Sequence, residues 1–145
     1  FLYLISLANA IFVTLILILE IPIYNNPIVL TMIQIYHNSR CGKSRNCLAF
    51  VENSKKEFEI INYLTNPPSF EELSAIIQKL NIKPIELVRQ KEKIWIENFK
   101  DQKLNDEQII QAMISHPILI ERPIVIDGNS AIIGRDLEKV ASFIL

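Results

Sequence analysis

The sequence predicts an α/β fold in which a mixed β-sheet is flanked by helices and interrupted by a helical insertion. Short apolar runs near residues 33 and 57 lie on either side of an amphipathic stretch, which is typical of a β-α-β unit. Residues 69–116 then carry helix-capping signals and helical periodicity. Two further apolar runs around a turn precede a last helical pattern, so the predicted order is β-α-β, helical insert, β-β-α.

The first β-α-β unit follows from three neighbouring segments. "IQIY" (33–36) predicts a short buried strand, and "SRNCLAFVENS" (44–54) has apolar residues at helical spacing. "EFEIINYL" (57–64) alternates well enough to predict a second strand. Pro67 and Pro68 end that strand, because proline cannot donate to a strand ladder.

The helical insert begins at a capping box. Ser69 and Glu72 have the spacing at which each side chain satisfies a backbone N–H of the other, and they predict a helix over residues 70–80. Three further signals predict the remaining helices of the insert: Pro84 for a short helix towards Arg89, Trp95 and Phe99 for another, and Asn105 as the cap of "DEQIIQAMISH" before Pro117.

The C-terminal part predicts a hairpin and a closing helix. "PIVID" (123–127) and "AIIG" (131–134) flank a turn at Asp127-Gly128-Asn129, and the helix covers residues 136–144. The complete order is the plan of a thioredoxin-like fold with helices inserted in the middle. Such folds keep a cis-proline beside their reactive group, so we expect the peptide bond before Pro123 to be cis.

The first 31 residues differ in composition from the rest. Residues 1–19 are apolar enough to be a transmembrane candidate, and residues 1–31 contain no Lys or Arg and a single acid, Glu20. No cationic segment precedes the apolar run, and no basic cluster follows it to set an orientation. We expect Met32 to be the true start and residues 1–31 to be upstream sequence that was read through. A membrane anchor and a signal peptide are the alternatives.

Charge and cysteine content limit the function of residues 32–145. This part carries all 15 basic residues and all but one of the 16 acidic residues, so it is formally neutral. A neutral domain offers no general electrostatic attraction for nucleic acid or for an anionic membrane, and its function must lie in a local site. The two cysteines are too few for a disulfide-stapled secreted domain and favour a reducing cytoplasm.

Cys41 is the first candidate for that site. It lies between Arg40 and Lys43, at the amino end of a helix predicted to begin near Ser44. Free N–H groups of a helix end and nearby cations stabilise a thiolate, whereas an inert buried cysteine would have apolar neighbours. His37 could hydrogen-bond this loop or hold the thiolate, and Ser44 could donate to the sulfur or cap the helix.

Cys47 is predicted to have a different role from Cys41. It lies six residues after Cys41, at about 240° of helix rotation and about 9 Å of rise, too far for a disulfide unless the first turn unwinds. We expect it to pack in the core, with a resolving or regulatory thiol as the alternative. A zinc site from His37, Cys41, Cys47 and His116 matches no common zinc spacing, so no metal is expected.

Three arginines stand apart from the surface lysines. Arg122 immediately precedes Pro123, Arg135 follows the last strand, and Arg89 lies in "ELVRQKE". Strand ends of this topology can bring Arg122 and Arg135 to the Cys41 loop. Guanidinium groups bind tetrahedral oxyanions through paired N–H donors, so we predict an anion site beside the thiolate.

Four motifs together point to a family: "YHNSRCGKSRN", "IIQKLNIKPIELVRQKE", "HPILIERPIVIDG" and "IIGRDLEKV". In order and spacing they resemble the glutaredoxin-coupled arsenate reductases, over residues 33–144. The resemblance implies that residues 32–145 form a thioredoxin-like arsenate reductase domain that acts in the cytoplasm. We expect this domain to be a monomer that binds neither nucleic acid nor membrane.

The resemblance also implies a mechanism. The Cys41 thiolate attacks arsenate that is bound by Arg89, Arg122 and Arg135, water leaves, and a cysteine–arsenic adduct forms. Glutathione, a co-substrate, then attacks, glutaredoxin removes the glutathione, and arsenite departs. No metal and no tightly bound cofactor is implied. The supporting positions around the cysteine are His37, Ser44, Arg45 and Pro123.

Two other functions share the fold. Spx-type regulators bind RNA polymerase and carry a C-x-x-C redox switch at this loop, but Ser44 occupies the second cysteine position here. A general thiol oxidoreductase would act on glutathione mixed disulfides. The three arginines argue against that activity, because a mixed disulfide needs no triple oxyanion clamp.

Overall fold

The computed structural model of the protein describes residues 32–145, and the predictions for residues 1–31 lie outside the described residues. The strands are β1 (Ile33–Tyr36), β2 (Phe58–Ile61), β3 (Ile124–Asp127) and β4 (Ser130–Ile133). The α-helices are α1 (Gly42–Asn53), α2 (Phe70–Leu80), α3 (Lys93–Asn98), α4 (Asp106–Ser115) and α5 (Leu137–Ile144). Two 3₁₀ helices cover Pro84–Leu87 and Pro117–Leu119. The predicted order is confirmed. Among the helices of residues 32–145, none combines the length and the hydropathy that a membrane span requires.

The sheet is mixed, with the strand order β2-β1-β3-β4. β1 is parallel to β2 and antiparallel to β3, and β3 and β4 form the hairpin predicted from the sequence. With helices on its faces and a helical insertion between β2 and β3, the predicted thioredoxin-like fold is confirmed. Because β1 and β2 are parallel, their carboxyl ends lie at one edge of the sheet, where loops commonly form a site.

Each face of the sheet covers its own hydrophobic core. Successive side chains of a strand point to opposite faces, so Ile33 and Ile35 pack with Cys47 beneath α1 and α5. Tyr36 packs on the other face with residues of α2, α4 and the 3₁₀ helices. Burying an aliphatic side chain of this size contributes about 1.5–3 kcal/mol.

Local capping chemistry explains where the inserted helices begin. The Ser69 backbone N–H donates to the Glu72 carboxylate at 2.7 Å, and the Glu72 N–H donates to the Ser69 hydroxyl at 3.1 Å, as predicted. Asn105 and Gln108 form the same reciprocal pair at the start of α4. Such a cap contributes about 1 kcal/mol to helix stability.

Some element bounds differ from the predictions. The second strand ends at Ile61 and not near residue 64, because Asn62 accepts the backbone N–H groups of Thr65 and Asn66 and turns the chain. The hairpin strand β4 ends before Gly134, whose N–H donates to the carbonyl of Pro123 at 2.8 Å. Phe99 is the C-cap of α3 and not part of its regular turns.

Candidate active site

Cys41 is the N-cap residue of α1. The helix begins at Gly42 and not near Ser44, so the thiol is closer to the free helix N–H groups than the sequence predicts. Its backbone is extended, with φ −95° and ψ 120°, which is typical of an N-cap. The side chain makes no hydrogen bond of regular capping geometry, but the N–H groups of Lys43 and Ser44 lie near enough to stabilise a negative sulfur.

The pKa of the Cys41 thiol is lower than that of an ordinary cysteine. Burial acts against this by raising the pKa, but the N–H groups of Ser44 and Lys43 and the side chain of Arg122 together lower it more. Arg122 acts both by hydrogen bonding and by its charge. Arg40 does not contribute although it precedes the cysteine, because its side chain is exposed. The site therefore favours a thiolate.

Hydrogen bonds hold the loop between β1 and α1. The Cys41 N–H donates to the carbonyl of Asn38 at 3.0 Å, and the Arg40 N–H donates to the Asn38 side chain at 2.9 Å. The Asn38 N–H donates to the hydroxyl of Ser44 at 3.0 Å, and that hydroxyl shares a 2.9 Å hydrogen bond with Nδ1 of His37. This network is buried, so it fixes the backbone on which the thiol is presented.

These contacts decide between the alternative roles of Ser44 and of His37. Ser44 lies inside α1, so its predicted role as the helix cap is wrong, and its hydroxyl bonds the loop and His37. His37 hydrogen-bonds the loop through Ser44. Burial lowers the pKa of His37, hydrogen bonding to Ser44 raises it, and the charge of Arg45 lowers it, with a net decrease that favours neutral imidazole. Arg45 itself donates to the carbonyl of Ser39 at 3.0 Å.

The three candidate arginines belong to one network that two carboxylates connect. Glu92 accepts from Nε of Arg89 at 2.8 Å and lies 3.5 Å from Nη1 of Arg122. Glu121 accepts from Nη1 of Arg135 at 3.0 Å and lies 3.7 Å from Nη1 of Arg89. With three guanidinium groups and two carboxylates, the network keeps an excess positive charge that suits an anion.

The sequence reasoning missed Glu92 and Glu121. The available signals were their positions: Glu92 lies three residues after Arg89, and Glu121 directly precedes Arg122. Their contacts are partly exposed, so each pair contributes little to stability. We assign their main effect to orientation, because each carboxylate restrains two long side chains that would otherwise sample many rotamers.

Arg122 is the arginine whose side chain hydrogen-bonds the thiol. Its side chain is 8% exposed, Nη1 donates to the carbonyl of Ile118 at 3.0 Å, and the peptide bond to Pro123 is cis, as predicted. Arg89 and Arg135 line an adjacent cleft of about 390 Å³ together with Glu121. Cys41 is not among the residues that line this cleft.

Cys47 packs in the core, as predicted. It is fully buried, and burial raises the pKa of its thiol to about 11. A Cβ atom added at Gly134 would lie 2.9 Å from its sulfur, so only glycine fits beside it. Within residues 32–145, no group of three His, Cys, Asp or Glu side chains has an arrangement that could hold a metal ion.

The two cysteines are expected to differ in how their alkylation by iodoacetamide depends on pH. Only the thiolate reacts, so the rate at Cys41 is expected to rise with pH at a midpoint below that of free cysteine, because the folded site lowers the pKa. Cys47 is expected to stay unmodified until the protein unfolds, because it is buried and its pKa is about 11. Mass spectrometry of peptides from a pH series measures both. A Cys41 midpoint equal to that of a free thiol would contradict the electrostatic argument.

Comparison with known proteins links this geometry to one family. The ArsC family model matches residues 36–143. The arsenate reductase of Acidiphilium multivorum is 43% identical over 109 residues, which cover 74% of this chain and 77% of that protein. The uncharacterized protein YfgD of Escherichia coli K12 is 40% identical over 114 residues, 77% of this chain and 96% of its own length. The structure of arsenate reductase from Vibrio cholerae superposes with a TM-score of 0.73 at 40% identity, covering 77% of this chain and 97% of that one.

Proposed function

The chain belongs to the ArsC family, and from this membership we propose that it is an enzyme that reduces arsenate to arsenite with Cys41 as the nucleophile. One observation carries the proposal beyond the family: the thiol of Cys41 has a lowered pKa at a helix N-terminus, beside the buried guanidinium of Arg122. A nucleophilic sulfur and a bound oxyanion are the two requirements of this chemistry.

In the proposed first step, the Cys41 thiolate attacks the arsenic atom of arsenate. A sulfur–arsenic bond forms and an arsenic–oxygen bond breaks, with the departing oxygen leaving as water after protonation. Arg122 donates to the oxygens on which negative charge increases, and Arg89 and Arg135 supply further positive charge at the adjacent cleft. The fixed network around Glu92 and Glu121 limits the reorganisation that this step requires.

We propose that thiols supply the two electrons. The thiol of glutathione replaces a second oxygen on arsenic, which again leaves as water, and a glutaredoxin thiolate then attacks the glutathione sulfur. The disulfide between glutathione and glutaredoxin is the oxidised product, and the two electrons reduce arsenic(V) to arsenic(III). Water then hydrolyses the sulfur–arsenic bond and releases arsenite from Cys41. We propose that no metal or tightly bound cofactor takes part, and that the protein acts as a monomer in the cytoplasm, where glutathione is kept reduced.

Contacts at the site favour this function over the two rivals. An Spx-type switch needs a second thiol at the position of Ser44, whose hydroxyl instead bonds His37 and the loop. Cys47 cannot replace that thiol without leaving the core. A general thiol oxidoreductase needs the Cys41 thiolate but gives no role to three arginines joined through two carboxylates.

The proposal predicts arsenate-dependent NADPH oxidation when the purified protein is combined with glutathione, glutaredoxin and glutathione reductase. We expect the rate to fall to the uncatalysed level when this protein is omitted, and strongly when glutaredoxin is omitted, because the adduct then lacks its reductant. In a parallel assay, a glutathione mixed disulfide replaces arsenate and glutaredoxin is omitted, because glutaredoxin itself would reduce the mixed disulfide. Turnover of the mixed disulfide without any turnover of arsenate would establish the general oxidoreductase instead.

A further inference from the structure

Two buried polar atoms form no hydrogen bond of regular geometry: the hydroxyl of Tyr63 and Nε of Arg122. They are the two atoms of this kind among the side chains that the structure describes. The Tyr63 side chain is completely buried. An unpaired buried donor costs free energy, and native proteins retain few such groups without a functional reason.

The backbone places Tyr63 at the same edge of the sheet as the Cys41 loop. Tyr63 follows β2, whose last residue, Ile61, pairs with the last residue of β1 and accepts the N–H of His37 at 2.9 Å. The Tyr63 N–H donates to the carbonyl of Ile61 at 3.0 Å, which turns the chain directly after the strand. The side chain therefore enters the interior beside the residues that begin the loop.

The groups that shift the pKa of the Tyr63 hydroxyl come from the Cys41 loop and from the arginine network. Burial raises the pKa of Tyr63 most. The charge of Arg122, hydrogen bonding by the Asn38 side chain and the charge of Arg89 lower it, and Cys41 raises it, with a net increase. The hydroxyl therefore lies within electrostatic reach of the Cys41 thiol, Arg122 and Arg89. The raised pKa keeps the hydroxyl protonated, and it can act as a hydrogen-bond donor.

We propose that Tyr63 is a further residue of the oxyanion site and that its hydroxyl donates a hydrogen bond to an oxygen of the bound arsenate. Nε of Arg122 donates to the same anion, so binding provides partners for both buried donors. The inference rests on the proposed function, because the anion is the substrate of that reaction. A tetrahedral oxyanion suits the pair, since its several oxygens accept from donors that approach from different directions.

Tyr63→Phe tests this proposal in the full-length protein. We expect kcat/KM for arsenate to fall about 10-fold or more, the effect of losing a hydrogen bond to a charged group. Without anion, we expect the melting temperature to stay the same or rise, because the variant loses an unpaired buried hydroxyl. A residue needed only for folding would lower the melting temperature and the activity together. Tyr36→Phe is the matched control, because Tyr36 is a nearly buried tyrosine whose ring lines a cavity beside α2.

A second measurement does not need turnover. Inorganic phosphate should slow the alkylation of Cys41 in the native protein, and Tyr63→Phe should require about tenfold more phosphate for the same protection. The alkylation rate without phosphate should stay the same, because Tyr63 contributes no hydrogen bond to the thiol. Unchanged protection and unchanged kcat/KM in Tyr63→Phe would overturn the inference while leaving the proposed function intact.

These measurements also distinguish a failure of the proposed function from a failure of the role proposed for Tyr63. If the native protein does not reduce arsenate but Tyr63→Phe still weakens protection by phosphate, the proposed function falls and the anion-binding role of Tyr63 stands. Should Tyr63→Phe fold poorly, fluorotyrosine in the native chain gives the same test by ¹⁹F NMR. Phosphate should then shift the resonance of residue 63 and not that of residue 36, and the reverse pattern would refute the role.

Discussion

Cys41→Ser is expected to reduce arsenate-dependent turnover to the rate of glutathione and glutaredoxin alone, a loss of at least about 10³-fold. A serine hydroxyl does not ionise near neutral pH, so the helix N–H groups and Arg122 have no anion to stabilise at this position. Binding of the oxyanion should survive, because the three guanidinium groups are unchanged. The coupled NADPH assay measures turnover, and phosphate-dependent thermal stabilisation measures binding.

Cys47→Ser is the matched control for that variant. It replaces the other thiol of the described chain by the same hydroxyl, in the core and away from the loop. Burying a hydroxyl among apolar side chains should lower the free energy of unfolding by about 1–3 kcal/mol, while kcat stays near the native value below the melting temperature. If a folded Cys47→Ser were as inactive as Cys41→Ser, Cys47 would have to act as a resolving thiol.

Arg122→Gln is expected to lower kcat by about 10²–10³-fold, the usual effect of removing one preorganised donor from an oxyanion site. The variant should also raise the pKa of the Cys41 thiol, because Arg122 is the one charged side chain of the described part that lowers it. The pH midpoint of both alkylation and kcat/KM should therefore move upwards. Glu92 keeps its hydrogen bond to Arg89, so no carboxylate loses all of its partners.

Arg40→Gln controls for the loss of positive charge. Arg40 is adjacent to Cys41 in sequence, but its side chain is exposed and does not contribute to the lowered pKa of the thiol. We expect it to change kcat and the pH midpoint by less than about threefold, because solvent and salt screen an exposed charge. Equal effects of the two substitutions would show that the site responds to general charge and not to the buried guanidinium.

Local sequence patterns were enough to predict the order of the elements and the position of the thiol. Strand alternation, the pair Ser69 and Glu72, and the turn at Gly128 are signals carried by residues within a few positions of each other. Local physical chemistry therefore suffices to predict them. The same applies to Cys41, because its place before an apolar helical pattern already implies free N–H groups.

The groups that surround the thiol depend on long-range contacts that form when the chain folds. Arg122 lies far from Cys41 along the chain, and the pairing of β1 with β3 brings it to the loop, whereas the adjacent Arg40 faces solvent. Glu92 and Glu121 likewise read as ordinary surface acids until folding places each between two guanidinium groups. The burial of the Tyr63 hydroxyl without a partner depends on packing from several elements at once. Contacts of this kind are set by strand pairing and burial, which involve residues far apart in the chain. They therefore cannot be predicted from any short segment of sequence.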